Sequence, residues 1–212
     1  MKPSKKLVVE AVDEVLSAKG SRKFTQSVDL AIGFKEIDFK KNEQRINLSV
    51  LLPHAPKDVK VLVYADDPVA SKVKGVADLV LGSAQVQEYA RDEKKQKELL
   101  NFNSLAEPQL MAVVGKALGK VLGAKGKLPA VLPPNADAKG FIDRARRTIS
   151  LKVKGKMLPA VHCGVGNELM PAEQVADNVV AVLDQLYAKV KEHQVKSIVI
   201  KLTMGKPVKV SA

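Results

Sequence analysis

The two ends of the chain share one pattern of hydrophobic and polar positions. Apolar and polar residues alternate over 28–34, 46–52 and 198–203, which predicts antiparallel strands that each have one covered face. Residues three and four apart are apolar after Ser4, a helix-capping residue type, and after Pro171, a residue type that favours the first helical turn. We therefore predict helices there, and α+β structure at both ends of the chain.

The middle of the chain follows a different pattern. Residues 59–64 are almost continuously apolar, as expected for a parallel strand that is covered on both sides. Strand and helix patterns then alternate, with a charged helix predicted from Ser83 to about Leu100 and another from Pro108 to about Gly123. This alternation predicts a doubly wound α/β domain.

The difference between the pattern at the two ends and the pattern in the middle predicts one discontinuous domain with an insertion. Residues 1–56 and 150–212 are predicted to form a split α+β domain, and residues 57–149 an inserted Rossmann-like α/β domain. The predicted fold class is therefore α/β and α+β in a discontinuous two-domain protein. Because only two crossings join the halves, we expect a hinge there.

Composition adds a class of partner to this architecture. Hydrophobic residues make up 46% of the 212 residues, and 35 Lys and Arg outnumber 23 Asp and Glu, for a net charge of +12. A basic excess of this size favours an anionic partner, above all nucleic acid, with a membrane surface as the weaker alternative. Aromatic residues amount to 4% with no Trp, which favours a folded RNA bound through backbone and shape over single strands stacked on a sheet.

Cysteine, histidine and hydropathy patterns disfavour several other classes. The single cysteine, Cys163, cannot form an intramolecular disulfide, which favours a cytoplasmic protein. No group of Cys and His residues has zinc spacing, and we predict neither a metal site nor a cofactor. Acidic residues interrupt the apolar pattern of the first helix, and no apolar run is long enough to span a bilayer. We therefore expect no signal peptide and no membrane partner.

Basic residues concentrate in three stretches. Arg22 and Lys23 precede Phe24, residues 144–156 hold six basic residues and no acidic one, and residues 196–210 hold four lysines and no acidic one. Together they favour an RNA-binding surface, and the alternative is a solvated sheet edge on which lysines prevent edge pairing. Three of the lysines alternate along a predicted strand and are expected to share one face: Lys152, Lys154 and Lys156.

The last basic stretch contains a corner between two predicted strands. Thr203, Met204 and Gly205 supply a hydroxyl, a flexible thioether and a backbone without a Cβ, with lysines on both sides. Such a corner suits close approach to a phosphate backbone. The alternative is an ordinary hairpin turn on a basic surface.

The glycine-rich residues 115–127 are the most enzyme-like stretch. Their spacing matches neither a phosphate-binding loop nor a dinucleotide-binding fingerprint. Gly115, Gly119 and Gly123 recur every four residues, so we predict a helix with one smooth face for close packing. Two further glycines, Gly164 and Gly166, are predicted to form a turn before the helix at Pro171.

No histidine has the acid and nucleophile neighbours of a catalytic residue, and we predict no catalytic residues. His162 and Cys163 are adjacent on a predicted strand, so their side chains point to opposite faces and cannot act on one atom. For His162 two interpretations stay open: a buried histidine, or a donor that faces RNA.

Several of these motifs resemble those of one known family. The chain is similar over nearly its whole length to the L-one family of large-subunit ribosomal proteins, the proteins of the mobile side stalk, in its shorter archaeal form. The last two motifs are the most specific in combination. The motifs are Lys23-Phe24 with Ser27; Leu52-Pro53-His54; Leu118 to Gly123 with Gly126 and Pro129; Pro171 with Ala176-Asp177-Asn178; and Thr203-Met204-Gly205.

The resemblance implies both the fold and a function. The family has a split α+β domain with an inserted Rossmann-like domain and a hinge, as the patterns predict. It implies binding to a kinked region of large-subunit rRNA, help in moving deacylated tRNA out of the exit site, and repression of the protein's own mRNA. We therefore expect a non-enzymatic protein of the large ribosomal subunit in the cytoplasm, with large-subunit rRNA, its own mRNA and exit-site tRNA as partners, monomeric off the ribosome.

The predicted RNA-binding residues come from two sources. The resemblance implies contacts at Lys23, Phe24, Thr25, Ser27, Asp29, Lys154, Lys156, Thr203, Met204 and Gly205. The basic stretches add Arg22, Lys152 and Lys206. His162 is added through its interpretation as a donor that faces RNA. The alternative hypothesis is an α/β enzyme that binds a phosphorylated ligand at Gly115–Lys127.

Overall fold

The fold divides into two compact units. Unit 1 comprises Met1–Lys57 and Arg147–Ala212, and unit 2 comprises Asp58–Arg146. The predicted domain limits differ from these unit boundaries by one and three residues, and both the domains and their independent folding stay predictions. The residues that the computed structural model describes are 3–37, 46–133, 137–153 and 158–210.

Unit 1 is built on antiparallel strands. Its four-stranded sheet has the order β10-β9-β1-β8, and β2 with β7 forms a separate two-stranded sheet. The elements are α1 (Lys5–Ser17), β1 (Ser27–Phe34), β2 (Asn47–Leu51), β7 (Thr148–Lys152), β8 (Ala160–Asn167), α7 (Ala172–Tyr187), β9 (Val195–Leu202) and β10 (Val208–Lys209).

Alternation along the strands of unit 1 decides which face becomes core. On β1, Val28, Leu30 and Ile32 are at most 1% exposed, whereas Asp29 and Ala31 between them are half-buried. The inward residues pack with the apolar faces of α1 and α7 in a single core. The opposite face of the sheet carries the outward residues, so polar side chains on these strands are available to a partner.

Two sequence motifs meet at a buried amide in unit 1. Asn178 on α7 is fully buried, and its side chain accepts from His54 N at 3.0 Å and donates to His54 O at 3.0 Å and to Val165 O at 2.8 Å. A buried amide with every bond satisfied fixes its partners. Asn178 therefore fastens the segment after β2 to α7 and β8.

The two chain crossings leave unit 1 next to each other. Leu52 N donates to Arg147 O at 3.1 Å, and the Arg147 guanidinium donates to Pro53 O at 3.4 Å. The ends of the insertion are therefore close in space, since one backbone hydrogen bond joins the outgoing and returning chain.

Unit 2 is a parallel α/β structure, so the predicted fold class of both parts of the chain is confirmed. Its sheet has the order β4-β3-β5-β6, the order of a doubly wound fold. The elements are β3 (Val61–Tyr64), α2 (Val69–Val73), β4 (Leu79–Leu81), α3 (Ser83–Arg91), α4 (Glu93–Leu99), β5 (Asn103–Ala106), α5 (Pro108–Ala124), β6 (Ala130–Val131) and α6 (Ala138–Arg147).

Two features of unit 2 differ from the sequence-based prediction. The single helix predicted from Ser83 to about Leu100 is two helices, because Asp92 adopts extended backbone and caps α4 by accepting from Lys94 N and Lys95 N. Strand β5 was not predicted. Its four residues include polar Asn103, and no alternating or continuous apolar pattern marks it, yet it lies at the centre of the sheet.

The predicted turn at Gly164 and Gly166 is wrong. Both lie inside β8, where Val165 is fully buried, and Val165 is the extra residue of a bulge opposite β1. The glycines serve packing there, since a Cβ on Gly166 would meet the Val175 side chain at 2.9 Å.

The predicted packing face of α5 is also wrong in detail. The helix forms, but a Cβ on Gly115, Gly119 or Gly123 would meet nothing within 4 Å, so these glycines face open space in the part of unit 2 that is described. The buried face of α5 is formed by Leu110, Val114, Leu118 and Leu122. Within the described ranges, no helix is long and apolar enough to cross a membrane.

We predict that Gly115→Ala and Gly123→Ala each stabilise unit 2. Both positions are helical and uncrowded, so alanine should add about 0.5–1 kcal/mol to the free energy of unfolding. Urea unfolding followed by circular dichroism measures this. Gly166→Ala is the contrasting variant and should destabilise unit 1 through its clash with Val175. A loss of stability in Gly115→Ala would mean that the fold itself requires that glycine.

Candidate nucleic-acid interface

Three chain segments meet at one end of the four-stranded sheet. Ser27, the first residue of β1, pairs with Asn167 at the end of β8, and Val28 pairs with Leu202 at the end of β9. The segments that precede β1 and follow β8 and β9 therefore lie side by side. We call this surface the sheet end and define it as residues 22–27, 167–169 and 203–206.

The exposed side chains of the sheet end are basic, apolar or hydroxylic. Phe24, Met204 and Leu169 are 51%, 60% and 76% exposed. This combination suits RNA, because cations bind phosphates while apolar and hydroxyl groups contact sugars and bases. The exposed basic residues, which form no ion pair with any residue that the structure describes, are Arg22, Lys23 and Lys206.

Thr203 has a structural contact that the sequence did not indicate. Its hydroxyl accepts from Ser27 N at 3.2 Å and donates to Ser27 O at 3.4 Å, and its backbone N also donates to Ser27 O. The donated bond is long, so the hydroxyl hydrogen can turn toward a ligand, but Thr203 also fastens the corner to β1. Thr25, predicted beside it, is exposed.

Gly205 also has a packing role in the corner itself. Its N donates to Leu202 O at 3.0 Å, and a Cβ would lie 3.0 Å from the Leu202 Cβ. The corner is therefore a tight hairpin turn between β9 and β10, in which a side chain at position 205 would crowd Leu202. The two interpretations of this corner are compatible, since the turn also presents Met204 and Lys206 to solvent.

Gln26 is a buried amide beneath the exposed side chains. It is fully buried, and its side chain bonds to Lys19, Glu168 and Met204. No sequence pattern singled it out. Only the fold shows that residues so distant in the chain converge on it.

Asp29 lies on the open sheet face next to two basic residues. It pairs across the sheet with Lys201, and partial burial raises the pKa of Asp29, while Lys201 and His162 act in the opposite direction. His162 is exposed, so the interpretation of His162 as a buried histidine is wrong. A carboxylate on this basic surface can accept hydrogen bonds from RNA hydroxyls or amino groups and repels misplaced phosphates.

Of the three alternating lysines, Lys152 is the one within the described residues, and it is not part of the sheet end. Lys152 ends β7, opposite Asn47 in the two-stranded sheet, and not in the sheet that carries the other candidates. Lys154 and Lys156 lie outside the described residues. Two nearby arginines have structural contacts: Arg147 with Pro53 O, and Arg146 with Val76 O and Asp78.

Sequence reasoning missed one of the three segments. Asn167, Glu168 and Leu169 join the sheet end, with Glu168 N donating to Gln26 O at 3.0 Å and Leu169 N to the Asn167 side chain at 2.9 Å. Single exposed apolar side chains are common on protein surfaces. The 76% exposure of Leu169 therefore indicates a binding site only once its neighbours at the sheet end are known.

The alternative ligand site in unit 2 lacks the features of a phosphate site. Most of Gly115–Lys127 is helical, because α5 continues to Ala124, and only the three residues 125–127 follow it. At the carboxyl edge of the sheet, where doubly wound folds bind ligands, stand the chain's own carboxylates. Asp66 accepts from Ser83 N at 2.9 Å and so occupies the start of α3, and buried Glu107 precedes α5.

Other chemistry is also unsupported. Burial raises the pKa of the Cys163 thiol to about 12, so the thiolate nucleophile is not formed at neutral pH. Among residues 3–37, 46–133, 137–153 and 158–210, no group of His, Cys, Asp and Glu is arranged to hold a metal ion.

Positive charge is concentrated in the unit that holds the sheet end. Unit 1 has 21 Lys and Arg against 12 Asp and Glu, and unit 2 has 14 against 11. Unit 1 therefore carries three quarters of the net charge, and long-range attraction of a polyanion acts mainly on it.

Comparison with known proteins agrees with this geometry. Residues 15–206 match the model of the ribosomal protein L1p/L10e family. The chain is 41% identical to the large ribosomal subunit protein uL1 of Thermofilum pendens, with 95% of this chain and 92% of that protein covered. It is 35% identical to the protein of the same name from Thermoplasma acidophilum, with 97% and 96% covered, and 38% identical to that of Pyrococcus abyssi, with 96% and 94% covered. The chain therefore belongs to the ribosomal protein L1p/L10e family.

Proposed function

We propose that the chain binds large-subunit rRNA through the sheet end of unit 1. The observation that carries this proposal is the convergence of Phe24, Met204 and Leu169 with exposed basic side chains at one end of a single sheet. The lysines and arginines supply affinity through phosphates, and the apolar and hydroxyl groups supply shape-specific contact.

Family membership sets the frame for this proposal. The chain is a ribosomal protein and not an enzyme. Relatives named as large ribosomal subunit proteins support the same place for this chain, in the large subunit in the cytoplasm. Binding without chemistry agrees with a site that offers contacts but no reactive group.

We propose two finer roles on the basis of the resemblance. The first is repression of the protein's own mRNA, which requires only an RNA that presents the rRNA shape to the same surface. Assistance in exit-site tRNA release is proposed for the ribosome-bound protein, in which one unit holds rRNA while the other moves about the two crossings. Off the ribosome we propose a monomer.

We predict that Phe24→Ala weakens rRNA binding selectively. Loss of an aromatic contact to a base or sugar should cost about 1–3 kcal/mol of binding free energy. Filter binding of a large-subunit rRNA transcript, with size-matched random RNA as reference, measures the affinity ratio. Leu51→Ala removes a similarly exposed apolar side chain of unit 1 away from the sheet end and should leave the ratio unchanged. Equal effects of the two variants would remove Phe24 from the site.

We predict that Lys206→Ala lowers the salt dependence of binding. One lost phosphate contact reduces the slope of log affinity against log salt by about 1 and weakens diverse RNAs alike. The matched control is Lys191→Ala, an exposed lysine just before the opposite end of β9. A slope that falls equally in both variants would indicate unspecific attraction and no contact at Lys206.

We predict that the split domain binds without the insertion. A chain that joins Lys57 to Arg147, the limits of unit 1, through a short flexible linker should fold, because the two crossings lie side by side at Leu52 and Arg147. It should keep most of the affinity for the rRNA transcript. If this chain folds by circular dichroism but binds no better than an unrelated basic protein, unit 2 carries recognition.

A further inference from the structure

Gln26 connects three segments of unit 1 that are distant in sequence. Its side-chain nitrogen donates to Lys19 O at 2.8 Å and to the Glu168 carboxylate at 3.1 Å, and its side-chain oxygen accepts from Met204 N at 3.2 Å. Its own backbone O accepts from Glu168 N at 3.0 Å. Both donors and the acceptor of one amide are therefore used, each on a different segment.

The residues joined by Gln26 are neighbours of the exposed side chains of the sheet end. Met204 is bonded directly, Glu168 precedes Leu169, and Gln26 itself lies two positions after Phe24. The amide does not touch a ligand, since Gln26 is fully buried. Its position lets it act on all three apolar contacts through the backbone that carries them.

The bond to Met204 N sets the direction of the corner. The turn has a second backbone bond, from Gly205 N to Leu202 O, and Thr203 is tied to Ser27. Neither of these holds the Met204 peptide itself. Without the Gln26 oxygen, that N–H loses its protein partner, and the corner gains freedom to rotate toward water.

We propose that Gln26 is the positioning residue of the RNA site: it sets the geometry of Phe24, Leu169 and Met204 without contacting RNA. This inference rests on the proposed function. It predicts that Gln26 governs discrimination between the matching RNA and other RNA, since phosphate attraction depends little on the angle of the corner.

The first test removes the amide and keeps its shape. Gln26→Met has similar length and no strong hydrogen-bonding group. We expect affinity for the large-subunit rRNA transcript to fall about tenfold, with affinity for size-matched random RNA and the salt slope nearly unchanged. All binding is measured at a temperature where circular dichroism shows each variant folded.

The matched control is Asn178, the other fully buried side-chain amide among the described residues of unit 1. Asn178 also makes three side-chain hydrogen bonds, to His54 and Val165, and none to the sheet end. Asn178→Leu should lower the melting temperature at least as much as Gln26→Met does, and should leave the affinity ratio at the wild-type value. This comparison separates a loss of position from a general loss of stability.

The second test exchanges donor and acceptor. Gln26→Glu keeps an acceptor for Met204 N but places a carboxylate against Glu168, so at pH 7.5 the ratio should again fall about tenfold. Glu168→Gln alone should change the affinity ratio little, because its amide oxygen still accepts from Gln26.

In the double variant, the new amide at position 168 can donate to the new carboxylate at position 26, and the ratio should return to within about threefold of wild type. The melting temperature should stay lower, since Lys19 O still lacks its donor.

The outcomes distinguish this inference from the proposed function. A wild-type protein that prefers the rRNA transcript, together with a Gln26→Met ratio equal to that of wild type, overturns the positioning role alone. Equal losses of ratio in Gln26→Met and Asn178→Leu overturn it as well. A wild-type protein without preference for the transcript overturns the proposed function itself.

Discussion

The antiparallel pairing of β1 with β8 and β9 is the interaction on which unit 1 depends. β1 comes from the chain before the insertion, and both of its partners come from the chain after it. Ser27 and Thr203, which meet at the sheet end, are 176 positions apart. Burial of the inward side chains of these strands against α1 and α7 offsets the entropy of closing so long a loop.

The same pairing creates the candidate RNA site. Three segments become neighbours only because the ends of β1, β8 and β9 are in register. Polar bonds then fix them: Thr203 to Ser27, and Gln26 to both Glu168 and Met204. These hydrogen bonds lie beneath the exposed apolar side chains of the sheet end. They fix the backbone that carries those side chains, so the side chains keep their geometry without being covered by other parts of the protein.

Unit 2 shows that fold and function are separate questions. Its strand order is that of a doubly wound fold, yet Asp66 caps α3 at the sheet edge where such folds bind ligands, and Glu107 stands before α5. A phosphate would meet carboxylates in place of backbone N–H groups. The exposed glycines of α5 have no structural reason within the described chain.

Local pattern determined much of this protein. Strand alternation, the helix starts at Ser4 and Pro171 and the basic surplus follow from side-chain periodicity and charge, which are properties of neighbouring residues, and the structure has them as predicted. Tertiary structure decided the rest. Strand β5 forms because β3 and β6 flank it, Gly166 packs against Val175, and Gln26 and Leu169 join the site because strand register brings distant segments together. Register and packing depend on residues far apart in sequence, and no local pattern encodes them.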